Sequence, residues 1–197
     1  ASLVQYAENG KLLPRGPCGG GYSYIMTGCP ATNLITCAYQ KGVLTKKPAA
    51  IAYEMMKNNH APGGMMGAKE PMEFYIKNGY YPSNAGITIE LAFQDWALAQ
   101  MAQKLGKKKD YNYYFKRSQG WTKLFDSTQK LIFAKSKEGA WVHKNPLSGN
   151  GWVEANAWQG TWSVSHGIGQ LAGMMGGADT LCKKLNHAFE KAKDQDF

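Results

Sequence analysis

Across residues 88–105, Ile89, Ala92, Phe93, Trp96, Ala97, Ala99 and Leu105 recur at helical spacing, and Gly106 follows as a stop. A helix this long with so broad an apolar face is stable only when other elements cover it, so the chain must pack helix against helix or helix against sheet. Little elsewhere reads as strand. Helical period returns from Thr32, through Leu34, Ile35, Ala38, Tyr39 and Val43, and again after Pro48 through Tyr53, Met55 and Met56. A short helix is expected over 69–77. Asp110 is the expected N-cap of the next helix, in which Tyr111, Tyr114, Phe115, Ser118, Trp121, Leu124 and Phe125 recur. A last helix over 178–193 sets Leu181, Leu185, Ala188 and Phe189 opposite its lysines.

The exceptions are a turn-rich opening, punctuated by Pro14, Pro17, Gly19, Gly20, Gly21 and Pro30, and a small hairpin expected around Glu138 and Gly139. About six or seven helices with almost no strand place the chain in the all-α class. Periodicity alone does not choose between a helical bundle and an arc of an α/α toroid. Loops containing Tyr, Trp, Pro and Gly favour the toroid, which carries its site on loops at one end of the ring.

Composition removes several function classes. With 44% hydrophobic and 12% aromatic residues the chain is a folding one, and no run of apolar residues is long enough for a membrane span. The formal charge of +9 is almost all lysine, with arginine only at Arg15 and Arg117. The lysines follow no single stripe, which argues against a nucleic-acid partner and for a solvated surface. Cys18, Cys29, Cys37 and Cys182 have no metal-finger spacing, and they fit free thiols as well as disulfides. A start at Ala1 suggests a processed or partial chain.

The most aromatic stretch covers residues 151–177 and holds one carboxylate, Glu154, among Trp152, Trp158, Trp162 and His166. Glu154, Trp158, Trp162 and His166 are each four residues apart, so a single helix would put them along one face. Indole faces stack on the C–H faces of a pyranose, and a carboxyl group buried against apolar rings is held protonated and ready to act as an acid. The same spacing serves a buried core equally well, and a lone His166 is more often structural than catalytic. Glu154 is the telling residue, because a carboxylate is costly to bury without a partner or a role.

The ordered blocks LPRG at Leu13, AYQKG at Ala38, AYEMM at Ala52, GYYPS at Gly79, LAFQDW at Leu91, FKRSQGW at Phe115 and EANAWQGTW at Glu154 resemble the calcium-dependent α-mannosidases of glycoside hydrolase family 92. The resemblance implies an (α/α)6 toroid that removes α-linked mannose, with α-1,2 linkage expected, by an inverting mechanism. It implies Glu154 as general acid and Asn156, Trp158, Gln159 and His166 as sugar-pocket residues. It further implies calcium as cofactor, mannose-containing glycans as partners and a secreted or periplasmic location. In that family the base and the calcium ligands lie downstream of the acid and a β-sandwich precedes the toroid. Residues 1–197 are therefore expected to be a partial toroid, paired with the remainder of the same enzyme and inactive alone.

Three departures stand out. Ser165-His166-Gly167 replaces a usual Pro-His-Asp, Gly160 replaces a usual aromatic residue, and Gly19-Gly20-Gly21-Tyr22-Ser23 replaces a loop with an Asn-Glu-Thr pattern. A base from within the chain would have to be Glu90 or Asp95 on the long helix. The competing reading is a noncatalytic carbohydrate-binding helical protein that keeps the aromatic pocket. A basic scaffold binding nucleic acid ranks last.

Overall fold

The computed structural model describes residues 2–8, 12–15, 17–18, 21–22 and 28–194. It is 63% helix and 3% strand, the all-α class that the periodicity implies. The expectation for Gly19, Gly20 and Ser23 lies outside the described residues. The chain divides into two units, one of residues 1–79 and 90–119, the other of residues 80–89 and 120–197.

The first unit carries α1 (Ser2–Ala7), the antiparallel pair β1 (Pro17–Cys18) and β2 (Gly21–Tyr22), α2 (Pro30–Gln40), α3 (Lys46–Asn59), α4 (Lys69–Asn78), most of α5 (Ala85–Lys104) and α6 (Lys108–Ser118). Pro30 opens α2 and Pro48 lies in the first turn of α3, where a missing N–H costs nothing because that position has no helical acceptor. Gly106, with φ +78°, follows α5 in the left-handed conformation that ends a helix. Helices α1 and α2 both pack on α3, and the fully buried side chains include Tyr53, Met56, Met72, Tyr75, Leu91, Leu98 and Met101.

Two local expectations differ from the structure. The opening is not all loop, since α1 occupies residues 2–7; six residues are too few for a periodic signal. Asp110 is not the N-cap of α6, because Lys107 takes that position and Asp110 falls in the first turn. There its charge suits the helix N-terminus, and its Oδ2 accepts a 2.6 Å hydrogen bond from the Tyr53 hydroxyl.

Around α5 the first unit buries an ionic network. The Asp95 carboxylate, with no exposed surface, accepts from Arg117 Nε at 2.7 Å and Arg117 Nη2 at 2.5 Å. It also accepts from the Tyr75 hydroxyl at 2.8 Å and from His60 Nδ1 at 2.9 Å, so each oxygen serves two donors. The other ring nitrogen of His60 is 3.2 Å from Thr32 Oγ1, and Arg117 Nη2 reaches the His60 carbonyl at 3.3 Å. Burial pushes the Asp95 carboxyl up, but the Arg117 charge and the hydrogen bonds outweigh it and hold the group below the usual carboxylate range. Asp95 is thus an ionised structural anchor. Glu90 is held by Gln94 Nε2, and burial raises its carboxyl despite that bond.

The second unit contains the first turn of α5, a 3-10 turn at Gly120–Leu124, and the antiparallel pair β3 (Phe125–Asp126) and β4 (Leu131–Ile132). The helix expected to run through Trp121 to Phe125 therefore stops at Ser118, with the poor helix former Gly120 next to the break. The expected hairpin is present: Lys135 bridges Trp141, and Ser136 N–H donates to the Ala140 carbonyl at 2.8 Å. Beyond it come α7 (Ala157–Gly160), two 3-10 turns at Thr161–Ser163 and Ser165–Gly167, α8 (Ile168–Met175) and α9 (Ala178–Asp194). Leu131, Phe133, Ala157, Trp158 and Ala188 form one core cluster, with Trp141, Trp152 and Trp162 packed against it.

Candidate functional site

The segment that carries Glu154 is folded by contacts on both sides of it. Gly151 stands at φ +82°, and a Cβ there would lie 2.5 Å from the Ala134 Cβ, so the loop lies directly on the strand-like arm of the hairpin. The Gly151 carbonyl also accepts the Ala85 N–H at 2.7 Å. Three residues later Glu154 itself adopts φ +50°, a left-handed conformation that an L side chain rarely takes. Its side chain is exposed.

Immediately after it, Asn156 starts α7 with a capping box. Asn156 Oδ1 accepts the Gln159 N–H at 3.1 Å, and Gln159 Oε1 accepts the Asn156 N–H at 3.0 Å. Asn156 is buried whereas Gln159 is exposed, so the box fixes the backbone while leaving the amide of Gln159 at the surface. The strained residue is held between two fixed points, with the Gly151 contact before it and the reciprocal cap after it. Strain of this kind persists only where the surroundings impose it.

The single helical face expected for Glu154, Trp158, Trp162 and His166 does not form. Glu154 precedes the N-cap, and the segment is divided by the turns at Thr161–Ser163 and Ser165–Gly167. Val164 at φ −77°, ψ 57° and Gly167 at φ −133°, ψ 23° are both outside helical geometry. Trp158 points into the core cluster at 5% exposure, with Lys184 Nζ 4.3 Å from its ring centroid and the His187 ring edge-on at 5.6 Å. Partial burial lowers the Lys184 ammonium below the usual lysine range, and the charges of Lys130 and Lys191 add to the effect. His166 is partly buried, edge-on to Trp121 at 6.5 Å.

The structure therefore brings Glu154, Asn156 and Gln159 together at the junction of loop and α7, sets Trp158 behind them in the core, and places His166 beyond two turns. Glu154 lacks the burial that the sequence argument gave it, since its side chain is exposed. The Asn156-x-x-Gln159 spacing is a capping-box signature that sequence reasoning missed although it was readable there. Trp152, which the sequence sets beside Glu154, has a seat that its spacing did not indicate: a Cβ on Gly160 would lie 2.0 Å from Trp152 Cζ3, so its ring rests on that glycine.

No group of three or more His, Cys, Asp or Glu side chains able to hold a metal exists among the described residues. Cys29 is a buried free thiol, while Cys37 and Cys182 are exposed free thiols. No helix among the described residues is long and apolar enough to cross a membrane.

A helical scaffold thus presents a strained, exposed carboxylate two residues before the capping box that opens α7. The chain matches the glycosyl hydrolase family 92 catalytic domain over residues 1–196 and belongs to that family of glycosidases. A family GH92 inverting mannosidase from Bacteroides thetaiotaomicron superposes with TM-score 0.83 at 24% identity, over 94% of this chain and 26% of that one. A family GH92 α-mannosidase of the same organism gives 0.82 at 25% identity, over 94% of this chain and 25% of that one. Likeness to these structures fits the helical hairpins of part of a toroid. An uncharacterized secreted glycosidase from Arthroderma benhamiae is 21% identical over 83% of this chain and 26% of its own length. The chain thus spans about a quarter of the relatives it matches.

Proposed function

We propose that this chain supplies the general acid of an inverting α-mannosidase acting on α-1,2-linked mannose of glycans, with Glu154 as that acid. The observation that carries the reading is Glu154 itself: an exposed carboxylate forced to φ +50° between the Gly151 contact and the Asn156–Gln159 capping box, in a chain of family 92. Glu154 protonates the departing glycosidic oxygen, and a second carboxylate removes a proton from water on the opposite sugar face. In an inverting enzyme about 6.5–9.5 Å separates the two. Asp95 does not serve as that base, because four donors already occupy its oxygens. The base, and any calcium ligands, then belong to the remainder of the enzyme, with residues 1–197 as part of a longer toroid.

In this reading the amide NH2 of Gln159 donates to sugar hydroxyls while its Oε1 stays in the capping box, and Asn156 and Trp158 act as positioning residues that hold the loop. His166 remains a contact for a neighbouring sugar. The secreted description of the fungal relative supports an extracytoplasmic location. The test is hydrolysis of an α-1,2-linked mannobiose by the protein from its natural source, with product configuration followed by proton NMR. Glu154→Gln is expected to lower kcat by about 10²–10⁴-fold, the usual worth of a general acid, and β-mannose is expected as first product. Unchanged turnover in Glu154→Gln refutes the assignment.

The exposure of Glu154 favours one alternative, a carbohydrate-binding protein without turnover. That reading predicts no hydrolysis by the unmutated protein and equal sugar affinity before and after Glu154→Gln.

A further inference from the structure

Trp152 occupies an unusual seat. A Cβ on Gly160 would lie 2.0 Å from Trp152 Cζ3, 2.5 Å from Cε3 and 2.6 Å from Cη2, so the six-membered ring rests on bare backbone of α7. No side chain larger than hydrogen fits at position 160 while the indole stays there. A Cβ on Gly86 would approach the same ring at 3.5 Å, an ordinary contact. The indole is therefore flanked by glycine twice, packs against the cluster that holds Trp158, and remains only partly buried. Its N–H takes no acceptor among the described residues.

These features fix the ring and leave part of it to solvent two residues before Glu154. A rigid indole with an available N–H matches the needs of a pyranose, which offers a C–H face for stacking and hydroxyl oxygens as acceptors. Gly160 lets the platform approach, since any larger residue would displace it. We propose that Trp152 is a sugar-stacking residue of the Glu154 site and that Gly160 sets its position, so the pair determines how tightly a mannosyl unit is held. The assignment rests on the reading of Glu154 as part of a sugar site.

The test uses the protein labelled with 5-fluorotryptophan, in which the resonance absent from Trp152→Phe is that of Trp152 among the six tryptophans. Titration with methyl α-mannoside is expected to move that resonance. Gly160→Ala is expected to shift it without sugar and to weaken mannoside affinity about tenfold, or about 1.4 kcal/mol. Should Gly160→Ala fail to fold, Trp152→Phe supplies the affinity comparison, and a weaker mannoside affinity is expected there also. A response confined to other tryptophans, or full affinity in both variants, overturns the proposal. Glu154→Gln separates the two readings. Turnover that survives it while Trp152 still responds refutes the acid and leaves the stacking assignment standing. Mannoside-independent spectra with no calorimetric binding refute the sugar site and Trp152's role together.

Discussion

Replacing Asp95 by Asn keeps the shape of the buried network and removes its charge. Four donors converge on the carboxylate, two per oxygen. An Asn side chain offers one oxygen able to accept two of them, and its NH2 turns donors toward the other two. The Tyr75 hydroxyl can rotate to accept, but a guanidinium N–H cannot, so at least one Arg117 donor faces another donor. Arg117 is itself only 7% exposed and keeps its charge without a counterion. Leaving a buried donor unsatisfied costs about 1–3 kcal/mol, and breaking a buried ion pair from one side costs about 3–5 kcal/mol. The two overlap, so the expected loss is about 3–5 kcal/mol, which for a chain of this size lowers Tm by roughly 6–20 °C. Urea unfolding followed by circular dichroism reads it directly. A companion Asp95→Asn, Arg117→Met variant should recover much of the loss, since replacing both charges removes the unpaired ion. A loss below about 1 kcal/mol in the single variant would falsify the view that Asp95 anchors this unit.

Two further outcomes follow from residues already described. Burial lowers the His60 imidazole below its usual range, with Arg117 adding to the effect and the Asp95 hydrogen bond opposing it. The unfolded chain takes up that proton near pH 6.5 and the folded chain only lower, so stability should fall as pH drops below about 6.5. Asp95, with its folded value depressed, contributes stability that is lost only below about pH 4. A urea midpoint that is flat between pH 7 and 5, or a slope unchanged in His60→Gln, contradicts this assignment. Glu154→Gly should abolish turnover yet raise stability. Relief of a left-handed conformation is worth about 1–2 kcal/mol, and the extra unfolded-state freedom of glycine takes back about 0.5–1 kcal/mol. A lowered Tm counts against backbone strain at Glu154.

Long periodic helices were readable from residues alone because burial repeats every turn: α5, expected over 88–105, spans Ala85–Lys104. The same logic failed in residues 151–177, where a four-residue spacing of aromatic residues suggested one helix. There the decisive information is local: Asn156 caps, Gly167 departs from helical φ and ψ, and Glu154 takes positive φ. Periodicity is blind to such signals. The role of Asp95 depends on His60 and Arg117, 35 and 22 residues away along the chain, a convergence that no window of sequence contains. The placing of Trp152 on Gly160 depends on side-chain packing alone, and only the absence of a side chain at 160 hinted at it.

The capping box that follows Glu154 joins residues only three apart. Closing so short a ring costs little chain entropy, so this turn can form early in folding and re-form quickly after a local opening. The backbone that follows Glu154 is then fixed by a four-residue word of its own. Such a word tolerates drift in the surrounding core, and it can persist while neighbouring positions are exchanged during evolution. A lineage can thus exchange residues around Glu154 without rebuilding the turn that follows it.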